Sequence, residues 1–220
     1  MKNLNIGLVG TGGMGKVHYA NLQQIEGCTV AAAVGHSPRS QEAAKEWGVP
    51  CYPSITAMVN DCDIDVVDIC TPTYMHHDNV MESLSLGKHT ICEKPIALSV
   101  KDAKEMLDEA ERRGVQLYIA QVLQFTKEVG FLREAVKSGE FGRPLDGCFE
   151  RLSACPGWAS GGWLFDEKKS GLLPYDLHIH DLDVIVSLFG KPEGFTFSSC
   201  RGEGKSYPEQ FRISYSFGAL

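Results

Sequence analysis

Ile6-Gly7-Leu8-Val9-Gly10-Thr11-Gly12-Gly13-Met14-Gly15-Lys16 is the stretch that decides the fold. An apolar run over 4–9 leads straight into glycines at Gly10, Gly12 and Gly15, and an amphipathic stretch over 14–25 follows. The order is strand, tight turn, helix. Gly10 permits the turn, Gly12 lets backbone approach a pyrophosphate with no Cβ in the way, and Gly15 lets the helix pack closely on a sheet. Free N–H groups and the positive dipole end of the helix then face the anion. Gly10, Gly12, Gly13, Met14 and Gly15 are therefore the expected dinucleotide-binding residues. A glycine-rich turn that merely joins two elements carries the same letters; its place directly between strand and helix favours the cofactor.

Outward from this unit, strand and helix patterns alternate. Strands are expected over 29–34, 51–52, 66–70, 89–92 and 116–120, with helices over 41–47, 54–60, 75–86 and 100–113. Short apolar, β-branched runs separated by amphipathic helices predict a parallel sheet covered on both faces. The fold class is α/β, with a doubly wound Rossmann domain over 1–120. After that the pattern changes. A helix over 128–138 ends at Gly139, glycines, prolines and the tryptophans Trp158 and Trp163 punctuate irregular segments, a helix over 175–189 follows, and the tail 195–217 alternates as strand. This is a second, partial α+β domain over 121–220, with a mainly antiparallel sheet.

Composition bounds the partners. A formal net charge of -7 with no basic stripe argues against nucleic acid or an anionic membrane as the main partner. No run approaches a membrane span and the start has no leader-like apolar region, so a cytoplasmic protein is expected. The eight cysteines are scattered without a C-x-x-C pair, and reduced, mostly buried thiols are expected.

The second strand of a dinucleotide fold normally ends in an acid, about 20 residues after the glycines, that holds the NAD ribose. Here the position falls in Val34-Gly35-His36-Ser37-Pro38-Arg39, which has no carboxylate. His36, Ser37 and Arg39 can embrace a 2′-phosphate, so NADP is favoured over NAD. The alternative is an exposed loop in which Arg39 only starts the next helix.

Three further stretches stand where an open α/β sheet puts its ligands. Thr71-Pro72-Thr73-Tyr74-Met75-His76 follows one strand, and Glu93-Lys94-Pro95 follows the next. A lysine there can hydrogen-bond a substrate hydroxyl and stabilise charge on its oxygen, although a Glu–Lys surface pair before a turn has the same sequence. The third stretch is Asp176 to Asp183. At about 100° per residue, Asp176, His180 and Asp183 share one helix face, while Ile179, Leu182, Val186 and Phe189 form an apolar stripe. A carboxylate one turn from a histidine can fix its tautomer and set up a general base; capping by Asp176 and simple packing of His180 is the competing reading. His178 points away from His180, so no metal site is expected. His76 and His77 also read as polar residues at a helix start.

Taken together, the glycine motif, Thr71-Pro72 with His76, Gly87-Lys88-His89 running into Glu93-Lys94-Pro95, and Asp176 through Asp183 resemble the Gfo/Idh/MocA family of oxidoreductases. The resemblance spans nearly the whole chain. It implies that Lys94 binds the reacting hydroxyl near the nicotinamide, that the peptide before Pro95 is cis, that His180 accepts the proton, and that Asp176 binds substrate or tunes His180. Asp183 becomes a supporting residue. Thr71, Pro72, His76, Glu93 and Lys94 join the cofactor-binding set. The implied reaction is reversible oxidation of a secondary alcohol of a sugar, cyclitol or related polyol, without metal.

Two departures stand out. Gln121-Val122-Leu123-Gln124-Phe125 replaces an arginine-containing segment, and family members continue well past Leu220, so a truncated form is expected, with an incomplete second sheet whose edge and apolar face invite association. The family also implies a homo-oligomer. Competing functions are an NAD-dependent glycosidase that works through transient oxidation, and a catalytically silent nucleotide-binding protein. Specificity is expected to lie in pocket shape and in the segment 158–165.

Overall fold

The computed structural model describes residues 3–157 and 160–218; Trp158 lies outside the described residues. The chain divides into two compact units, Met1–Ala120 and Gln121–Leu220.

In the first unit, six parallel strands alternate with helices: β1 (Leu4–Val9), α1 (Gly13–Leu22), β2 (Cys28–Val34), α2 (Pro38–Glu46), β3 (Cys51–Tyr52), α3 (Ile55–Asp61), β4 (Val66–Ile69), α4 (His76–Ser85), β5 (His89–Cys92), α5 (Val100–Arg113) and β6 (Leu117–Ile119). Their order in the sheet is β3-β2-β1-β4-β5-β6. The strand order reverses between β1 and β4, which opens a crevice at their carboxyl ends where ligands of such sheets bind. One face carries the larger core, where Val9, Ile69, Val67 and Cys92 meet Met58, Val80, Leu84 and Met106 from α3, α4 and α5. On the other face Ile6, Leu8 and Val30 lie under Tyr19 and Leu22 of α1, and Tyr19 stacks on Trp47. Both faces being covered explains why the strands read as continuous apolar runs.

Helix boundaries follow their caps. Ser37, Ser54 and Ser99 each accept the backbone N–H three residues on, and Gly114 closes α5 at φ 66°. Ser37 with Pro38 at the first helical position starts α2 earlier than the apolar pattern alone predicts.

The second unit holds α6 (Lys127–Ser138), α7 (Glu167–Ser170), α8 (Leu172–Asp176), α9 (Ile179–Phe189) and an antiparallel hairpin of β7 (Gly194–Cys200) and β8 (Gln210–Ser216). Residues 143–157 form no regular element. Phe195 pairs with Tyr215 and Phe197 with Ile213, and both phenylalanines are 66% exposed.

Three expectations change. The helix predicted over 175–189 is two helices: the N–H groups of Leu177 and His178 both go to the Leu173 carbonyl, and regular winding restarts at Ile179. The break falls where His178 is anchored on Tyr215, whose hydroxyl is 2.7 Å from His178 Nε2. In α9 the buried residues are Val184 and Ile185, whereas Val186 of the expected stripe is exposed. Apolar residues surround this helix, so periodicity could not select its buried face. Finally, only Cys70 and Cys92 are buried; Cys148, Cys155 and Cys200 are exposed because they lie in the irregular stretch and on the open hairpin.

Candidate functional site

The turn after β1 is built as a cradle. Gly10 adopts φ +91°, and a Cβ there would lie 2.9 Å from the Cys70 carbonyl, so β1 and β4 approach too closely for a side chain. A Cβ on Gly15 would lie 3.0 Å from the Gly10 carbonyl carbon and closer still to its oxygen. Gly12 and Gly13 behave oppositely. A Cβ on either meets nothing within 4 Å, so the space in front of them is open. Gly12 caps α1 without a side-chain hydrogen bond, and the first turn has no acidic residue. Open space, uncapped amides and the dipole end together fit a dinucleotide pyrophosphate.

At the end of β2, His36, Ser37 and Arg39 are exposed at the start of α2. Ser37 Oγ accepts the Ser40 N–H at 3.1 Å and stands 2.9 Å from Ser40 Oγ. No carboxylate lies between Val34 and Ser40.

After β4, Thr71 and Pro72 lead into a 3-10 turn at Thr73–Met75. His76 is fully buried: its Nδ1 is 2.8 Å from the Pro95 carbonyl and its Nε2 2.9 Å from the Thr71 carbonyl. Burial pushes its pKa down although both carbonyls oppose the shift. The ring thus ties the loop after β4 to the loop after β5 and offers no edge to a ligand. Met14 of the glycine turn is 42% exposed.

The loop after β5 overturns the reading of a surface Glu–Lys pair. Glu93 is 6% exposed. Its Oε2 accepts the Lys94 N–H at 3.0 Å, while Oε1 is 3.0 Å from Nε2 of His18 on α1. His18 Nδ1 lies 2.9 Å from Oδ2 of Asp68, a carboxylate of β4 that is 2% exposed. Asp68 first, then Cys70 and Glu93, hold the His18 proton and push its pKa up to about 12. Burial alone would raise Glu93, but hydrogen bonding and charge from His18 hold it below the usual carboxyl range. The Lys94–Pro95 peptide is cis, as the resemblance implied, and Lys94 is half-buried.

His18 and Asp68 were missed in the sequence. One signal was there: an aspartate inside Val66-Val67-Asp68-Ile69-Cys70, an otherwise apolar strand, must find a partner once buried.

In the second unit, Asp176 ends α8 and His180 lies in the first turn of α9, both half-buried. Because the helix breaks between them, helical angles do not carry from Asp176 to His180; they carry only from His180 to Asp183. Asp183 is held by Gln124, whose Nε2 donates to its Oδ2 at 2.5 Å, and Arg133 donates in turn to Gln124 Oε1 at 2.7 Å. Gln124, in the segment that departs from the family pattern, thereby links an arginine to α9. Asp181 forms a two-pronged pair with Arg151, at 2.7 and 3.0 Å.

Among the described residues no helix is long and apolar enough to cross a membrane.

Two family models match the chain. One, described as the oxidoreductase family with NAD-binding Rossmann fold, covers residues 4–121, and the other, the GFO/IDH/MocA C-terminal domain, covers 130–209. Levoglucosan dehydrogenase of Pseudarthrobacter phenanthrenivorans is 32% identical over 87% of this chain and 52% of its own length. The 2,7-anhydro-N-acetylneuraminate hydratase of Mediterraneibacter gnavus is 30% identical over 90% of this chain and 53% of its own. An oxidoreductase from Agrobacterium radiobacter, crystallised with NAD+, L-tartaric acid and magnesium, superposes with a TM-score of 0.88 at 23% identity, over 97% of this chain and 63% of that one. This likeness concerns the fold. The chain spans about half the length of the curated relatives it matches.

Proposed function

Because the chain belongs to the GFO/IDH/MocA family of oxidoreductases, we propose that it carries the machinery of a nicotinamide-dependent dehydrogenase acting on a secondary alcohol of a sugar, cyclitol or related polyol. The observation that carries this reading is the open, uncapped start of α1 at the strand-order reversal, beside the loop that presents Lys94.

When bound, a nicotinamide dinucleotide supplies the hydride acceptor or donor. In this reading the amides from Gly12 to Gly15 take the pyrophosphate, with Thr71 and Pro72 beside it across the crevice. The Lys94 ammonium hydrogen-bonds the reacting oxygen and stabilises the charge that develops there. His180 takes the hydroxyl proton, and Asp176 orients the substrate or His180. His76 and Glu93 act by holding the Lys94 loop in place. The missing acid at the end of β2, with Arg39 and His36 exposed beside the start of α2, supports NADP over NAD. The second unit is the substrate-binding part, and the exposed Phe195 and Phe197 support its association with another copy.

A second reading draws on the hydratase relative: the same site can run a transient oxidation with no net change in cofactor. Titration with NADPH and NADH, followed by energy transfer from tryptophan, tests the shared premise. Net reduction of NADP+ or NAD+ with polyols then supports the dehydrogenase, whereas turnover of an anhydro-sugar or nitrophenyl glycoside without net reduction supports the alternative. A folded chain that binds neither dinucleotide refutes both.

A further inference from the structure

Beneath the glycine turn, two buried carboxylates converge on one imidazole. Asp68 lies in β4 and Glu93 directly follows the adjacent parallel strand β5, and His18 enters between them from α1. Each ring nitrogen lies 2.9–3.0 Å from a carboxylate oxygen. A neutral imidazole has a single N–H, so it would leave one lone pair facing a carboxylate; two such contacts require both nitrogens to be protonated. A carboxylate this deeply buried also needs a cation beside it.

The second oxygen of Glu93 is equally committed, since it accepts the Lys94 N–H at 3.0 Å. A continuous set of contacts therefore runs from the helix that begins at the glycine turn, through His18 and Glu93, into the backbone of Lys94. We propose that His18 is a positioning residue: its doubly hydrogen-bonded ring fixes Glu93, and Glu93 fixes the Lys94 backbone, so that the dinucleotide helix and the lysine move as one piece. The contacts stand on the geometry alone; what they position rests on the dehydrogenase reading of Lys94.

The other groups facing this cluster sharpen the expectation. They are Cys70 and Cys92, both buried thiols whose pKa burial raises, the Lys94 ammonium, and buried His76, whose ring is held between the Pro95 and Thr71 carbonyls. None can replace the His18 charge between the two carboxylates. In His18→Gln the side chain can donate to only one of them. The Glu93 carboxylate then takes a proton from solvent as pH falls, and its grip on the Lys94 N–H weakens.

The test is the Lys94 backbone amide resonance in the full 220-residue chain, followed between about pH 5 and pH 9, where free histidine titrates but an ordinary carboxyl and lysine do not. We expect a flat profile in the wild type and a titrating one in a folded His18→Gln variant. A flat profile in both overturns the proposal. If the variant does not fold, the wild type decides through its ring nitrogens: a His18 that keeps both N–H protons over this range supports the proposal, and one that loses a proton overturns it. Where dehydrogenase activity is present, His18→Gln should lower kcat about tenfold or more and change dinucleotide affinity less than about threefold. Absence of activity from the wild type counts against the dehydrogenase reading and leaves the amide result to decide the role of His18.

Discussion

Alanine at Gly12 and alanine at Gly15 should separate binding from stability, although the two glycines belong to one turn. At Gly15 the new Cβ would lie 3.0 Å from the Gly10 carbonyl carbon and inside contact of its oxygen, and both partners are backbone. Helix α1 must lift off the sheet, against the stacking of Tyr19 on Trp47 and the packing of Leu22. Overpacking of this kind costs about 1–3 kcal/mol. At about 2–4 °C per kcal/mol for a chain of this size, the Tm should fall by about 2–12 °C. At Gly12 the backbone is extended, at φ -73°, and a Cβ meets nothing. Stability should be unchanged there, but the methyl projects into the space a pyrophosphate needs. Affinity for NADPH and NADH should drop at least about tenfold, or about 1.4 kcal/mol. Thermal unfolding by circular dichroism and the energy-transfer titration measure the two effects. Wild-type affinity in folded Gly12→Ala would remove the cradle from the site, and wild-type Tm in Gly15→Ala would refute the packing argument.

Further outcomes follow from the same geometry. Lys94→Ala and His180→Ala should each lower turnover about 10²- to 10⁴-fold with dinucleotide binding retained; unchanged steady-state rates would dismiss their assigned roles. Arg39→Ala should weaken NADPH by about tenfold and leave NADH alone, read from paired titrations, if the arginine meets a 2′-phosphate. Ser99→Ala removes the hydroxyl that accepts the Asp102 N–H and should cost about 1 kcal/mol in denaturant melts, with no effect on cofactor. The His18 proton gives a pH dependence of definite sign. Its folded pKa, about 12, lies above the unfolded value, so the stabilisation is complete below about 6.5 and is lost as pH rises toward 12. Glu93 is shifted the other way and its contribution is lost on acidification. The wild type should therefore lose stability from neutral to alkaline pH relative to His18→Gln, and parallel curves for the two in thermal melts would contradict the charged ring.

The first unit was legible because its signals are local. Alternating apolar runs and amphipathic helices placed every strand from β1 to β6, and Gly10, Gly12 and Gly15 marked the turn at the reversal of strand order. Boundaries slipped where a cap overrode the apolar pattern, as at Ser37 and Pro38. The second unit was less legible. In α9 most positions are apolar, so their spacing carried no information about which face is covered, and the break after Asp176 coincides with a contact to Tyr215, 37 residues away from His178.

Periodicity and turn chemistry depend on neighbours in the chain, and for that reason the sequence by itself determined the parallel sheet, the glycine turn and the position of Lys94 after β5. Only the tertiary structure decided that Glu93 is buried, that His76 is enclosed between two carbonyls, and that His18 bridges Asp68 and Glu93. Those last partners are 50 and 75 residues from His18. Their meeting depends on how α1 crosses the sheet and on the register of β4 with β5. Once buried there, each carboxylate needs a hydrogen-bonding partner, and the His18 ring lying between them meets both.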